Sequence, residues 1–468
     1  MLYDPNLESL KQHPLPEWYD NAKLGIFIHW GLFSVPGWAP VTGELAEVSA
    51  SQGWEAWFAQ NPYAEWYLNS LRIEGSSTDQ YHRQTYGENF SYDDFVPQFN
   101  EAIQKWNPDE WAELFQKVGA RYVVLVTKHH DGFLLWPSQR PHPHKKNYQA
   151  SRDLVGELAA AVRNRGMRMG LYYSGGLDWS FNETPIKDRP DVYDTIVQTP
   201  EFIEYVDYHW RELIDRYQTS LLWNDIGYPG NAPLLELLTY YYNTIPDGVV
   251  NDRFGQVTSK DLPEHEEVVK NPDKGHFDFT TPEYSSYKRI VEKKWEATRG
   301  IGFSFGFNRA EGPDSYLSAD KAVRMFVDIV SKNGNFLLNV GPMADGAIPE
   351  LQQQCLAGLG AWLEVNGEAM FDTRPWVEAD GETTTGIPVR YTQKGEAIYA
   401  TLLDTPPGDR VTIASLRASD HTTIHLLGYP EALTWRQEGS NLTIELPHEL
   451  ASAPAYAFKI TPFPGLVK

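Results

Sequence analysis

The chain has 468 residues, a formal net charge of −23 and a single cysteine, Cys355. This length exceeds one simple domain and suits a large barrel with an appendage. The acidic balance excludes a nucleic-acid partner and an anionic membrane surface, which need a cationic footprint, and one cysteine excludes an intrachain disulfide. The N-terminus, Met1-Leu2-Tyr3-Asp4-Pro5, has no basic segment followed by an apolar one, and no apolar run is long enough to span a bilayer. A cytoplasmic location is therefore expected, and a homo-oligomer is left open. The 16 Trp and 26 Tyr exceed what a core of this size needs. Aromatic faces often pack on the C–H faces of sugars, although core and surface packing is an equally good reading of the composition.

Apolar runs that end in polar or aromatic residues recur along the chain. The first is Leu24–Trp30, ending in His29-Trp30. Asn107 and Pro108 then predict a helix start, Trp111, Leu114, Phe115 and Val118 fall at helical spacing, and Gly119 closes the element. The run Tyr122–Val126 follows and leads into Lys128-His129-His130-Asp131. Asp153 predicts the next helix cap and Gly166 its end, before a strand over 167–174. A helix near 201–217 precedes Leu221-Leu222-Trp223-Asn224-Asp225, and one near 234–243 precedes Val249–Arg253. Phe277–Phe279 and Ile301–Phe305 are further strand candidates. Ser318 caps a later helix, and Phe336–Val340 completes a set of eight strands.

Eight strands alternating with helices, with polar residues after many of them, predict an α/β fold of irregular (β/α)8 type. The site is then built at the C-terminal ends of the strands. A doubly wound open sheet is the competitor, but no Gly-x-Gly-x-x-Gly follows the first strand. No helices are evident between strands 5, 6 and 7, and 255–274 reads as a charged surface excursion with Glu264, Glu266 and Glu267 solvated. From about Phe371 the chain changes to short alternating strands, among them 397–402, 411–413, 422–427, 442–446 and 455–460. These predict a C-terminal antiparallel β-sandwich. The expected division is a catalytic barrel over 1–370 and a sandwich over 371–468.

A carboxylate at the exit of a core strand is costly unless it has a task. Asp225 is thus the first candidate for chemistry; the alternative is a strand-end Asp capping the next turn. Most glycosidases need two carboxyl groups, and Glu283, in Thr281-Pro282-Glu283-Tyr284, is the second candidate, against the reading of a solvated loop Glu. His29, His129 and His130 can hydrogen-bond sugar hydroxyls or be satisfied core histidines. Adjacent strand residues face opposite ways, so His129 and His130 do not form a metal chelate, and no ligand spacing completes one. No metal or cofactor is expected.

The runs Gly25-Ile26-Phe27-Ile28-His29-Trp30-Gly31, Lys128-His129-His130-Asp131-Gly132-Phe133, Tyr172-Tyr173-Ser174, Trp223-Asn224-Asp225, Trp295-Glu296-Ala297-Thr298-Arg299-Gly300 and Asn335–Pro342 closely resemble glycoside hydrolase family 29, the α-L-fucosidases. The resemblance covers roughly 15–370. It implies an irregular barrel with a β-sandwich and a retaining exo-acting fucosidase acting on fucosylated oligosaccharides or glycoconjugates. Asp225 would be the nucleophile and Glu283 the acid/base. The substrate-binding set would be His29, Glu65, Trp66, His129, His130, Tyr172 and Trp223, with Arg253 beside the acid/base and Phe305 as a pocket wall. Glu296 would be structural. Two alternatives remain at this level: a glycosidase for another neutral sugar such as a galactoside, and a non-catalytic carbohydrate-binding barrel.

Overall fold

Seven parallel strands form, all but β6 where the apolar runs lie: β1 (Leu24–Ile28), β2 (Tyr122–Lys128), β3 (Arg168–Ser174), β4 (Leu221–Asp225), β5 (Val249–Val250), β6 (Trp295–Gly300) and β7 (Gly334–Val340). They lie side by side in the order β5-β4-β3-β2-β1-β7-β6. Isolated parallel bridges from Asn251 to Phe279 and from Thr280 to Trp295 fill the gap between β5 and β6. The result is a closed barrel whose sixth stave is reduced to two residues. These details come from a computed structural model that describes residues 2–43, 45–256, 260, 275–448, 450–462 and 465–466. Glu264, Glu266 and Glu267, and most of the excursion that carries them, lie outside the described residues.

The structure corrects two of the expected strands. Residues 301–305 form bends, and the seventh stave is Trp295–Gly300 just before them. The segment Trp-Glu-Ala-Thr-Arg-Gly does not read as an apolar run because Glu296 and Thr298 are polar, yet both are buried. The Phe277–Phe279 strand contracts to the bridges at Phe279 and Thr280.

Helix caps fall where their chemistry places them. Asn107 accepts from the amide of Asp109, Asp153 from Gly156 and Ser318 from Lys321. Each satisfies an otherwise orphaned N–H at a helix start. Gly119 ends the first of these helices at φ 90°, ψ 14°, a left-handed conformation that a Cβ would disfavour.

The barrel carries two cores. Between strands and helices lies a large apolar layer that includes Ile26, Val123, Leu125, Met169, Leu171, Leu222 and Leu338. Inside the barrel, Tyr19, Phe27, Tyr122, Val124, Tyr172, Leu221, Trp223, Phe279 and Leu337 pack together. Residues one position apart on a strand, such as Leu222 and Trp223, thus serve opposite cores, as the two-residue pleat requires. Burying each large side chain contributes about 1.5–3 kcal/mol.

The sandwich begins at Arg374. A six-stranded antiparallel sheet (432–433, 423–426, 456–461, 397–402, 388–394 and 374–382 in spatial order) faces a three-stranded one (410–413, 441–445 and 435–438). They share a core containing Val389, Ile398, Ile413, Leu442, Ile444 and Phe458. Tyr399, Ala455 and Ala457 join the barrel's outer core instead. The barrel helix Glu350–Asn366 also donates from Trp362 Nε1 to the carbonyl of Ala455 at 2.9 Å, so the sandwich is packed against the barrel.

Candidate active site

At the C-terminal ends of the strands lies a cavity of about 410 Å³, and every residue the sequence nominated for catalysis or sugar binding lines it. His29 follows β1, Tyr172 is in β3, Trp223 and Asp225 are in β4, and Arg253 follows β5. His129 and His130 lie beyond the end of β2 at Lys128, so the strand alternation expected to turn them to opposite faces does not apply, and both rings face the cavity. Glu283 follows the two-residue stave, and Phe305 lies in the bends after β6. Glu65 and Trp66 come from a short 3-10 turn, Ala64–Trp66, before β2.

Asp225 is the best-defined group. Its Oδ1 accepts from Arg253 Nη1 at 2.8 Å and from the amide of Ile226 at 3.0 Å. Its Oδ2 accepts from Tyr172 Oη at 2.9 Å, with His130 Nε2 at 3.6 Å. Burial alone would raise this carboxyl, but the Arg253 guanidinium and the hydrogen bond from Tyr172 outweigh it and hold it below the usual aspartate range. Glu283 accepts from Tyr63 Oη at 3.1 Å and faces Arg253 Nη2 at 3.4 Å. Burial and the Asp225 charge raise its carboxyl above the usual range, in spite of Arg253 and Tyr63. One environment thus separates two carboxyl groups into a low-pKa and a high-pKa member.

Arg253 is the link between them. Its Nε donates to Thr281 Oγ1 at 2.8 Å and its Nη2 to the Thr281 carbonyl at 3.1 Å. Its guanidinium lies 4.7 Å from the Trp223 ring centroid. Thr281 Oγ1 in turn donates to Asp252 Oδ1 at 2.6 Å. The fork therefore meets Asp225 and Glu283 at a fixed angle.

The backbone after each carboxylate is unusual. Ile226 has φ 49° and Tyr284 has φ 47°, the left-handed region that side-chain-bearing residues seldom enter. Asn224 holds the first turn by donating to the carbonyls of Gly227 and Arg253, both at 2.8 Å.

The remaining wall is imidazole, carboxyl and aromatic. Burial lowers His29 to about 3, His130 to about 4, and His129 well below the ordinary value, so all three rings are neutral near pH 7. Glu65 is pushed up to about 7 by burial, although one oxygen accepts from Gly306 N at 2.8 Å and Ser304 Oγ at 3.1 Å. Phe27, Trp223 and Phe305 supply apolar lining.

Glu296 does not line the cavity. It lies below the cavity inside the barrel, accepting from Tyr19 Oη at 2.9 Å, Tyr122 Oη at 2.5 Å and Trp223 Nε1 at 3.0 Å. It holds the floor residue Trp223 in place. Among the described residues no group of three His, Cys, Asp or Glu side chains is arranged to hold a metal ion.

Sequence reasoning missed Tyr63, the partner of Glu283, the buried Trp57 and Phe58, and the outer rim formed by Trp54, Arg189, Val192 and Tyr193. The rim sits on two six-residue helices, Trp54–Ala59 and Arg189–Asp194, too short to leave a periodic signal. It also missed Ser174 and Asn339, which stand behind two of the histidines. Both sit at strand ends already marked by their neighbours.

The family profile described as Alpha-L-fucosidase matches residues 1–368, and that described as Alpha-L-fucosidase C-terminal domain matches 382–461. The chain is 34% identical to the human tissue α-L-fucosidase over 472 residues, covering 98% of this chain and 91% of the relative. The structure of an α-fucosidase from Thermotoga maritima in complex with a mechanism-based inhibitor is 43% identical, with a TM-score of 0.86, covering 98% of this chain and 99% of that one. An α-L-fucosynthase from Thermotoga maritima in complex with α-L-Fuc-(1-2)-β-L-Fuc-N3 is 44% identical, with a TM-score of 0.87 over the same shares.

Proposed function

The chain belongs to the α-L-fucosidase family of glycoside hydrolases and hydrolyses α-L-fucosides, and we propose that it does so with retention, with Asp225 as nucleophile and Glu283 as acid/base. One observation carries this reading: Arg253 bridges the two carboxyl groups while their pKa values are driven apart. A retaining enzyme needs that division, with one group ionised to attack and the other protonated to release the leaving group.

In the first step Asp225 attacks the anomeric carbon from the β face. The C–O bond to the aglycone breaks, and the aglycone oxygen takes the Glu283 proton. Water then attacks from the α face as Glu283 takes a proton back, and the Asp225 ester bond breaks. The three neutral histidines, Glu65 and Trp66 receive the sugar hydroxyls. Phe27, Trp223 and Phe305 offer the apolar surface that a 6-deoxy sugar needs and a galactoside's C6 hydroxyl does not. The leaving group extends outward past Trp54, Val192 and Tyr193, which are all less buried than the inner wall.

The test is azide rescue of Asp225→Gly on an aryl α-L-fucoside. Azide takes the place of the missing carboxylate on its own face, so the product is β-fucosyl azide. Unimpaired turnover by this variant, or rescue giving the α-azide, would assign the nucleophile elsewhere.

A further inference from the structure

The three imidazoles of the wall are not equivalent, and the atoms behind them show why. Ser174 Oγ has one proton and lies 2.7 Å from the carbonyl oxygen of Leu177, which can only accept. That proton is therefore committed to Leu177. His130 Nδ1 lies 2.6 Å from the same Oγ, so the ring nitrogen must be the donor. A neutral His130 with its proton on Nδ1 has its lone pair on Nε2, the atom 3.6 Å from Asp225 Oδ2.

The same logic applies to His29. Asn339 Nδ2 donates to the carbonyl of Phe305 at 2.7 Å, which fixes the amide's orientation. Its Oδ1 then faces His29 Nδ1 at 2.7 Å and must accept. His29 Nε2 is left as the acceptor. His129 lies between the two, with ring centroids 5.7 Å from His29 and 4.0 Å from His130. Its Nδ1 is buried with no hydrogen-bond partner among the described residues. A buried N–H without an acceptor is rare and costly, so the His129 proton belongs on Nε2.

We infer that Ser174 and Asn339 are positioning residues that fix His130 and His29 as hydrogen-bond acceptors, with His129 between them in the opposite tautomer as a donor. The wall then reads acceptor, donor, acceptor. This deepens the fucosidase reading and rests on it for the identity of the ligand: the wall is complementary to adjacent hydroxyls of a sugar, each of which donates or accepts as its imidazole requires. It also protects the nucleophile. A ring held in the Nδ1–H form cannot donate to Asp225, so Oδ2 keeps a lone pair free for attack.

The tautomers are read directly from two-bond ¹H–¹⁵N spectra of histidine-labelled full-length enzyme without ligand, assigned with His29→Gln, His129→Gln and His130→Gln. The expected pattern is Nδ1–H for His29 and His130 and Nε2–H for His129. An Nε2–H signature at His29 or His130, or Nδ1–H at His129, would overturn the inference. This measurement stands apart from turnover, so failure of the fucosidase reading would appear separately, as no hydrolysis of an aryl α-L-fucoside.

Ser174→Ala removes the acceptor behind His130. Its proton should move to Nε2 and engage Asp225, lowering kcat/KM about tenfold to a hundredfold and shifting the acid limb of the pH profile to lower pH. Ser174→Thr, which keeps the hydroxyl, should retain the Nδ1–H signature. An unchanged His130 tautomer in Ser174→Ala would show that the hydroxyl is merely structural. If the variants fail to fold, the wild-type spectrum still decides.

Discussion

The two sides of the site are built differently. The Asp225 side stands on consecutive barrel strands. Ser174 and Asp225 are directly paired between β3 and β4, Tyr172 is paired with Trp223, and their rings stack at 5.4 Å. The Glu283 side stands on a stave of two residues and on the bends around Phe305. Asp225 has a side chain 12% exposed and three donors to its carboxylate, whereas the Glu283 side chain is 25% exposed and has Tyr63 and the long contact to Arg253. A nucleophile must be held against one carbon. An acid/base must meet first a leaving oxygen and then a water, and a looser mounting suits that task.

Substitution at each side should therefore fail differently. Asp225→Gly should lower kcat on every fucoside by roughly 10⁴-fold to 10⁶-fold, as loss of a nucleophile does. Glu283→Ala should lose about 10²-fold to 10⁴-fold on substrates with poor leaving groups and far less on an activated aryl fucoside. Azide should then accelerate its second step and give α-fucosyl azide. Equal losses on both substrate types with no azide effect would erase the contrast, and Glu65 would become the acid to examine.

Arg253 ties the halves together, so Arg253→Met should disturb both. It lowers both pKa values now. Its loss should move both limbs of the pH–rate profile to higher pH and cost about 10²-fold to 10³-fold in kcat/KM. A shift in one limb alone would mean that the bridge serves one carboxylate. A smaller change tests the loop side by itself. The Tyr63 hydrogen bond lowers the Glu283 pKa, so Tyr63→Phe should raise it. The alkaline limb, where activity falls as Glu283 loses its proton, should move up with no change in the acid limb, at a cost of about tenfold or less in rate.

The smallest rate effect is expected below the site. Burial raises Glu296 to about 7 from an unfolded value of about 4.3. A group raised on folding gives its full stabilisation below the unfolded value and loses it as pH rises through the folded one. Melting temperature should therefore fall between about pH 4.5 and 7 by an amount that Glu296→Gln abolishes. A pH slope preserved in the variant would place its source in another buried acid such as Glu65 or Glu311.

The same division governs what could be read from the sequence. Asp225, the histidines and Tyr172 were legible because each ends an apolar run, so the run fixes both strand and exit. The seventh stave was misplaced because its inward residues include Glu296 and Thr298, which a search for apolar runs passes over. Tyr63 and the rim residues Arg189 and Tyr193 reach the cavity from elements outside the barrel strands. Their approach depends on tertiary packing that no local spacing encodes. Glu283 was nominated as the second carboxyl group a glycosidase needs, in a loop beyond a strand candidate, and the family resemblance supplied its acid/base role.

The left-handed residues after the two carboxylates, Ile226 and Tyr284, have a consequence for how such an enzyme adapts to heat. Each conformation costs about 1–3 kcal/mol that the surrounding contacts must hold in check, and for a β-branched residue like Ile226 it is a genuine outlier. Glycine would remove the penalty, but at the loss of the Ile226 side chain or of the Tyr284 ring, whose hydroxyl donates to the Phe303 carbonyl at 2.8 Å. It would also release the backbone that aims each carboxylate. Variants that gain melting temperature at these two positions should therefore surrender rate.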